Sequence, residues 1–197
     1  MTPMQKLLSL PALLGLAALL ACGGGGGGSS NNNNTPTNAT SLAYTDPTSG
    51  TYLLKKNTAL STTTHLVLDL VGPAAATGTG VSATFSADPT KVTWTNVGAT
   101  DATATYVQNG TVFSLGTAPQ ILKAKVASGV LQVTAAQKGT GSPVALNAPL
   151  LRLALDLNGQ TAQGAVSLSA DAAKCLVLDG TGALTPMTVS VGTLNAQ

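Results

Sequence analysis

From Ser41 onward apolar and polar residues alternate with a period of two, and Gly, Pro, Asn or Asp interrupts the alternation roughly every 8 to 15 residues. A period of two places successive side chains on opposite faces of a strand. His65-Leu-Val-Leu-Asp-Leu-Val71 thus collects Leu66, Leu68 and Leu70 on one face, and Val81-Ser-Ala-Thr-Phe-Ser-Ala87 collects Val81, Ala83, Phe85 and Ala87. Further strands are predicted over 91–97, 111–115, 121–126, 130–134, 150–157, 164–169, 175–178 and 187–191. No segment carries a capped helical stripe, and Asp171-Ala-Ala-Lys174 has room for a single turn. About nine strands with short connections predict an all-β chain folded as one antiparallel β-sandwich. Leu66, Leu68, Leu70, Phe85, Leu153, Leu155 and Leu157 form its expected core.

One pattern occurs twice. Leu66-Val-Leu-Asp-Leu-Val-Gly72 and Leu153-Ala-Leu-Asp-Leu-Asn-Gly159 share Leu-x-Leu-Asp-Leu-x-Gly. Two copies are too few for a repeat architecture. They read as equivalent strands of the two sheets, each with its apolar trio inward and its Asp outward at the strand end.

The first forty residues follow a different pattern. Lys6 precedes an apolar run from Leu7 to Ala21, about 15 residues, which suits a secretory signal peptide better than a membrane span of about 20. An uncleaved helical anchor is the alternative. The run closes on Leu19-Leu20-Ala21-Cys22, which resembles the bacterial lipobox, with Leu20 where a smaller residue is commoner. The resemblance implies cleavage before Cys22, which then carries lipid on its thiol and its amine. Several acyl chains, at about 0.8 kcal/mol per buried CH₂, hold a bilayer far more firmly than one. Gly23 stands where an Asp favours inner-membrane retention in lipoproteins of this kind, so the expected location is the bacterial cell envelope, at the outer membrane of a diderm host. Six glycines, two serines and four asparagines follow, leading into Thr35-Pro-Thr-Asn-Ala-Thr40. Such a stretch buries nothing that offsets its ordering entropy, so it reads as a coil spanning roughly 20–25 Å. It is not a phosphate loop, because no Gly-Lys-Ser/Thr follows and no strand precedes it. The expected organisation is a signal peptide over 1–21, a lipidated cysteine and linker over 22–40, and the domain over 41–197.

Composition narrows the chemistry. The 197 residues are 44% hydrophobic but only 3% aromatic and 8% charged, with no glutamate. Ala, Val and Leu must therefore fill the core, and Thr, Ser, Asn, Gln and Gly supply the polar surface. The net charge of +2 falls to about +1 when Lys6 leaves with the leader. That excludes the basic footprint of a nucleic-acid binder. The adjacent pair Lys55-Lys56 reads as a solvated strand end.

Catalytic sets are missing. His65 is the lone histidine, and Asp69, four residues along the same strand, lies about 13 Å away, so no local dyad exists and Asp156 reaches it only through the fold. The acids are all Asp, and Asp46, Asp88 and Asp179 sit in Asp-Pro or Asp-Gly turns. Asp171 and Asp179 are the candidates for a calcium site, without the alternating acids of a calcium loop. With Cys22 consumed by lipid, Cys175 has no disulfide partner and reads as a buried thiol, the alternative being a reactive one. One Cys and one His cannot form a zinc site. Trp94 alternates with Val92 and reads as core, not as part of a sugar platform. Asn38-Ala-Thr40 and Asn109-Gly-Thr111 match the glycosylation pattern but mean little in a bacterial lipoprotein. No catalytic residue, cofactor or metal ligand is assigned.

The run from His65 to Val97, with its Ala87-Asp88-Pro89 turn, resembles the opening of bacterial cohesin modules, although the tyrosine usual before Asp-Pro is Ala87 here. Gly129-Val-Leu-Gln-Val133, Ala148-Pro-Leu-Leu-Arg-Leu-Ala-Leu-Asp156, Ala165-Val-Ser-Leu-Ser169 and Met187-Thr-Val-Ser-Val-Gly192 recur in the order of cohesin strands. The resemblance covers roughly residues 60 to 194. It implies a nine-stranded jelly-roll sandwich, related in fold to some carbohydrate-binding modules, and a protein-docking role; no dockerin-binding face transfers residue by residue. The favoured function is an envelope-anchored, non-catalytic interaction module whose partner is another envelope or extracellular protein. The alternatives are carbohydrate binding, an accessory subunit of a surface enzyme or secretion assembly, and an enzyme.

Overall fold

The computed structural model describes residues 37–113, 115, 121–137 and 142–197. The expected signal peptide, Cys22 and the linker as far as residue 36 lie outside the described residues.

The two Leu-x-Leu-Asp-Leu copies organise the fold. Among the described residues, seventeen strands run in chain order as β1 Leu42–Thr45, β2 Tyr52–Lys56, β3 His65–Val71, β4 Thr77–Gly78, β5 Gly80–Ala87, β6 Val92–Thr95, β7 Val107–Asn109, β8 Ile121–Ala127 and β9 Val130–Ala136, then β10 Val144–Ala145, β11 Pro149–Leu157, β12 Gly164–Val166, β13 Leu168–Ala170, β14 Leu176–Leu178, β15 Leu184–Pro186, β16 Val189–Val191 and β17 Thr193–Ala196. They form two six-stranded sheets. The first has the order β16-β2-β3-β11-β6, with β7 also on β11, and the second has β15-β14-β5-β9-β8, with β13 also on β5. A three-stranded sheet β1-β17-β12 and the β10-β4 pair complete the domain. This is the all-β sandwich the period-two pattern predicts, and no α-helix occurs among the described residues; Asp171–Lys174 is a turn, closed by Lys174 N donating to the Asp171 carbonyl.

The core lies between the sheets. Leu66, Leu68, Leu70, Leu151, Leu153 and Leu155 from the first sheet meet Val81, Ala83, Phe85, Leu131 and Val133 from the second, all at most 2% exposed. Each such leucine contributes about 1.5–3 kcal/mol of burial. Trp94 is internal, 6.4 Å from the Phe85 ring centroid, and its Nε1 donates to the Gly129 carbonyl at 2.8 Å. That carbonyl belongs to the two-residue turn Ser128-Gly129 between β8 and β9. Both turn residues have positive φ, as the tight hairpin turn requires.

Several expectations are corrected. The repeated motifs are not equivalent strands of two sheets. They are β3 and β11, paired antiparallel in one sheet with Leu66 opposite Leu155 and Leu68 opposite Leu153. Leu157 is only half-buried, because β11 runs out beyond the end of β3 there. Pairing is not wholly antiparallel, since β16 lies parallel to β2. The strand expected over 111–115 is replaced by β7. Gly110 N and Thr111 N donate to the Leu150 and Pro149 carbonyls, beside a register shift in β11 between Pro149 and Leu151, and the chain bends away after Asn109, whose Nδ2 holds the Phe113 carbonyl at 2.7 Å. The shift also explains why adjacent Leu150 and Leu151 are both buried. Pairing with the domain begins at Asn38, two residues inside the stretch expected to be linker: Asn38 bridges Ala162, and Ala39 N donates to the Thr161 carbonyl.

Candidate functional site

The sandwich has two outer faces, and the same pleat builds them from different side chains. On the first sheet, each Asp of the repeated motif faces the basic residue that precedes the other copy. Asp69 lies opposite Arg152, and Asp156 lies opposite His65. Arg152 Nε donates to Asp69 Oδ1 at 2.7 Å, and Asn57 Nδ2 donates to Asp69 Oδ2 at 2.9 Å. Asp69 is 8% exposed, so the expectation that it points into solvent fails. The outer face is covered, and only a fully partnered carboxylate is tolerated beneath the cover.

Asn57 and Arg152 enclose Asp69, and the cover at the other end of this face is the segment from Asn96 to Tyr106 between β6 and β7, which meets the sheet through Val97. Val97 is buried against Val67 and Ala154, a small apolar cluster on the outer side of the sheet. Asp101 closes the segment by accepting from Gly98 N at 2.8 Å and from Gln108 Nε2 at 2.9 Å. Asn96 Oδ1 accepts from Tyr106 N, and its Nδ2 donates to the Ala102 carbonyl. Ala104 and Tyr106 have φ of 59° and 54°, left-handed values that cost an ordinary residue about 1–2 kcal/mol, so these hydrogen bonds hold the segment against its own backbone preference.

At one end of this face His65 meets both Asp156 and the cover. Its Nδ1 lies 2.6 Å from Asp156 Oδ1 and its Nε2 lies 3.1 Å from the Val97 carbonyl. The pairing that sequence spacing denies along one strand is thus supplied across two. It is not a nucleophile-activating dyad, because the ring's hydrogen-bond partners among the described residues are Asp156 and the Val97 carbonyl, neither of which is a hydroxyl or thiol. An open groove of about 410 Å³ lies beside it, lined by Leu60, His65, Asn96, Val97, Gly98 and Asp156 among others.

The outer face of the second sheet carries no such cover among the described residues. Its centre is Ser82, Thr84 and Ser86 from β5 beside Thr134 and Gln132 from β9; Gln132 is exposed, Ser82, Ser86 and Thr134 are half-buried, and Thr84 is buried. One edge, β8, presents exposed Lys123 and Lys125. At the other, Leu176 and Leu178 stand on the side opposite buried Val177 and pair with Pro186 and Leu184 of β15. Leu184 is 63% exposed. This apolar corner escaped the sequence reading, although the alternation of Leu176-Val177-Leu178 about a core-facing valine was its available signal.

The other candidates are structural. Asp179 Oδ1 accepts from Thr181 N, Thr181 Oγ1 and Ala183 N, which hold its carboxyl below the usual range, the Thr181 hydroxyl foremost. Asp171 is lowered chiefly by the Lys174 ammonium, 2.7 Å away. Each is satisfied within its own turn, and no group of three metal-ligating side chains occurs among the described residues. Cys175 is fully buried, 3.8 Å from the Thr84 carbonyl, and burial raises its thiol pKa, the opposite of an activated nucleophile. Lys55 pairs across strands with Asp69, and Lys56 N donates to Asp46 at the end of β2. Tyr44, Tyr52, Phe85, Trp94 and Phe113 are buried and Tyr106 is half-buried, so none joins a flat sugar platform.

No protein-family model matches the sequence, and no curated protein matches it. Among solved structures, a chain of the CaCohA2 complex with a CaDoc0917 variant superposes at a TM-score of 0.52 with 16% identity, covering 66% of this chain and 86% of that one. A chain of a type II cohesin–X-dockerin complex from Acetivibrio cellulolyticus gives 0.51 with 12% identity, over 71% and 94%. A type II cohesin domain from the cellulosome of the same organism gives 0.48 with 10% identity, over 80% and 95%. At these identities the likeness is one of fold, and the domain is a cohesin-like β-sandwich.

Proposed function

We propose that this chain is a non-catalytic docking module, anchored by acylated Cys22 to the bacterial outer membrane, that holds another envelope or extracellular protein on the outer face of its second sheet. One observation carries the choice of face. The first outer face has Val97 of the segment 96–106 packed over Val67 and Ala154 and is tied by ion pairs, whereas the second, among the described residues, presents exposed Gln132, half-buried Ser82, Ser86 and Thr134, two exposed lysines and the corner of Leu176, Leu178, Leu184 and Pro186. Flat, small-residue centres flanked by an exposed aliphatic corner suit contact with a folded partner. The partner chemistry this face fits is an apolar side chain over Leu184 and acidic groups facing Lys123 and Lys125. The cohesin-like fold supports the reading only as an analogy.

The geometry of the chain's entry supports it too. Asn38 enters at the end of the sandwich that carries Pro89, the Ser128-Gly129 turn and Thr161, while Leu178 and Leu184 lie at the opposite end, beside Gly80 and Ala136. The chain thus joins the domain at the end away from the apolar corner, which its entry leaves unobstructed.

Full-length protein carrying Cys22→Ser tests both halves. Acyl labelling and membrane association should vanish in this variant, and persistence of labelling refutes the anchor. Immobilised, the same protein should capture a partner from envelope or secreted fractions, and adding Leu184→Asp or Thr134→Arg should weaken capture at least tenfold. Undiminished capture by folded face variants rejects this face. A screen against glycan and ester substrates should stay at background, and turnover abolished by His65→Ala would make the chain an enzyme instead.

A further inference from the structure

We propose that residues 96–106 are a proton-controlled latch: the doubly protonated ring of His65 ties this segment to the first sheet, and loss of its second proton lets the segment go. The inference does not depend on the docking face.

The observation is the pair of partners. Nδ1 of His65 faces Asp156 Oδ1 at 2.6 Å, and Nε2 faces the Val97 carbonyl at 3.1 Å. A carboxylate and a carbonyl oxygen both accept and cannot donate. A neutral imidazole has one N–H, so it satisfies one of these contacts and turns a lone pair toward the other. Only the imidazolium makes both bonds. When the ring gives one proton to water, the proton that stays is the one on Nδ1, because its acceptor is charged and closer. Nε2 then repels the Val97 carbonyl it had held. Val97 is the residue whose side chain plugs the Val67–Ala154 cluster, so the bond lost is the one at the point where the cover meets the sheet.

The surroundings of His65 are few and known from each packed element. From β11 come Asp156 and, one outward-facing position beyond Ala154, Arg152; from β3 itself comes Asp69, bonded to Arg152; from β2 comes Lys55, opposite Asp69; from the cover come Asp101, bonded to Gly98 N and Gln108, and Tyr106, packed against the core. The segment 57–64 and strand β6 bring no titratable side chain. Asp156 is thus the only one of these groups bonded to the ring, and its side chain is 47% exposed, so the proton can reach solvent.

The test is an NMR titration of the full chain carrying Cys22→Ser that follows the His65 ring and the cover amides together. Amide resonances of Val97, Gly98 and Asp101 should shift and broaden with the same midpoint as the His65 ring, while amides of β5 and β9 stay in place. Cover resonances that ignore the His65 titration overturn the latch. Asp156→Asn sharpens the result. Asn donates to Nδ1, the neutral ring keeps its proton on Nε2, and the bond to Val97 survives at every pH. The cover transition should disappear in this variant, with Trp94 emission unchanged as the sign of an intact fold. A cover transition identical to that of the parent overturns the mechanism. Should Asp156→Asn fail to fold, His65→Gln gives the same decision, since any remaining cover transition in it cannot come from a ring proton.

Discussion

The two outer faces of the sandwich are made by strands of similar length, 7 and 9 residues in β3 and β11 and 8 and 7 in β5 and β9, yet among the described residues one is covered and the other is not. On the first, outward positions of β3 and β11 carry His65, Val67 and Asp69 against Arg152, Ala154 and Asp156, and a long connection folds back to cover them. On the second, outward positions of β5 and β9 carry Ser, Thr and Gln; Thr84 is buried, but uncharged groups of this kind are satisfied by water or by protein and demand no ion-pair partner. A charge or a valine on an outer face creates a demand for a partner that only more chain can meet, whereas a row of hydroxyls creates none. The difference teaches where evolution has room to work. The first face is committed to stability and the second is available for contact.

The sharpest way to break this comparison is to remove one member of a buried pair. Arg152→Met leaves Asp69 with Asn57 alone and should cost roughly 3 kcal/mol in urea denaturation, whereas Leu184→Ser on the open face should change stability by less than about 0.5 kcal/mol. Adding Asp69→Leu to Arg152→Met should restore most of the loss, because it removes the stranded charge. Equal costs on the two faces would erase the distinction. Next in size, Val97→Ala empties the small outer cluster and should cost about 1–2 kcal/mol, with faster amide exchange confined to 96–106. The open face should nonetheless be tight beneath its surface. With Cys22→Ser in place, Cys175 should resist thiol reagents until the protein unfolds, and labelling at the rate of a free thiol would mean that the second sheet breathes. The smallest effect belongs to the seam between the sheets, where burial pushes Tyr44 up to about 12. Its hydroxyl donates to the Leu54 carbonyl and accepts from Gly192 N, both at 2.7 Å. A phenol harder to ionise in the fold than in the open chain contributes stability below pH 10 that fades as pH rises from 10 toward 12. Ultraviolet titration should find Tyr44 ionising last, above Tyr52, which burial also raises, and Tyr44→Phe should flatten that part of the stability curve.

Sequence patterning made the strands of the sandwich legible because one side of each must be apolar, and Leu66, Leu68, Leu70, Phe85, Leu153 and Leu155 are buried as it required. It did not make the pairing legible. The repeated motif was visible, but its copies were assigned to different sheets, and the symmetry that resolves them lies one residue outside the motif, in His65 and Arg152. A pattern within one strand says which way a side chain points; it says nothing about which strand stands opposite. For the same reason His65 and Asp156, 91 residues apart, were joined only by the fold. Alternation puts Asp69 on the outward side without revealing that Asn57 and Arg152 close over it there. Short strands such as β1 and β15 were missed because three or four residues hold too few alternations to register. The lone cysteine of the domain and the tryptophan were read as internal, since neither had the neighbours a reactive or sugar-binding role needs.

The pairing of β1 with β17 has a mechanical consequence. Strand β1 starts at the end of the sandwich where Asn38 enters and runs inward, with Leu42 opposite Ala196 and Thr45 opposite Thr193. A pull on residue 38 against a hold at the far end therefore acts along the strand axis. The rungs of the ladder are loaded together and must shear at once; they cannot be unzipped one after another. The Tyr44 hydroxyl, bonded on one side to Leu54 and on the other to Gly192, is a cross-pin through that joint. Forced unfolding is governed by the rate of crossing its barrier, so a short strand at the entry of the chain, pulled lengthwise, sets how hard the domain can be tugged before its first strand slips.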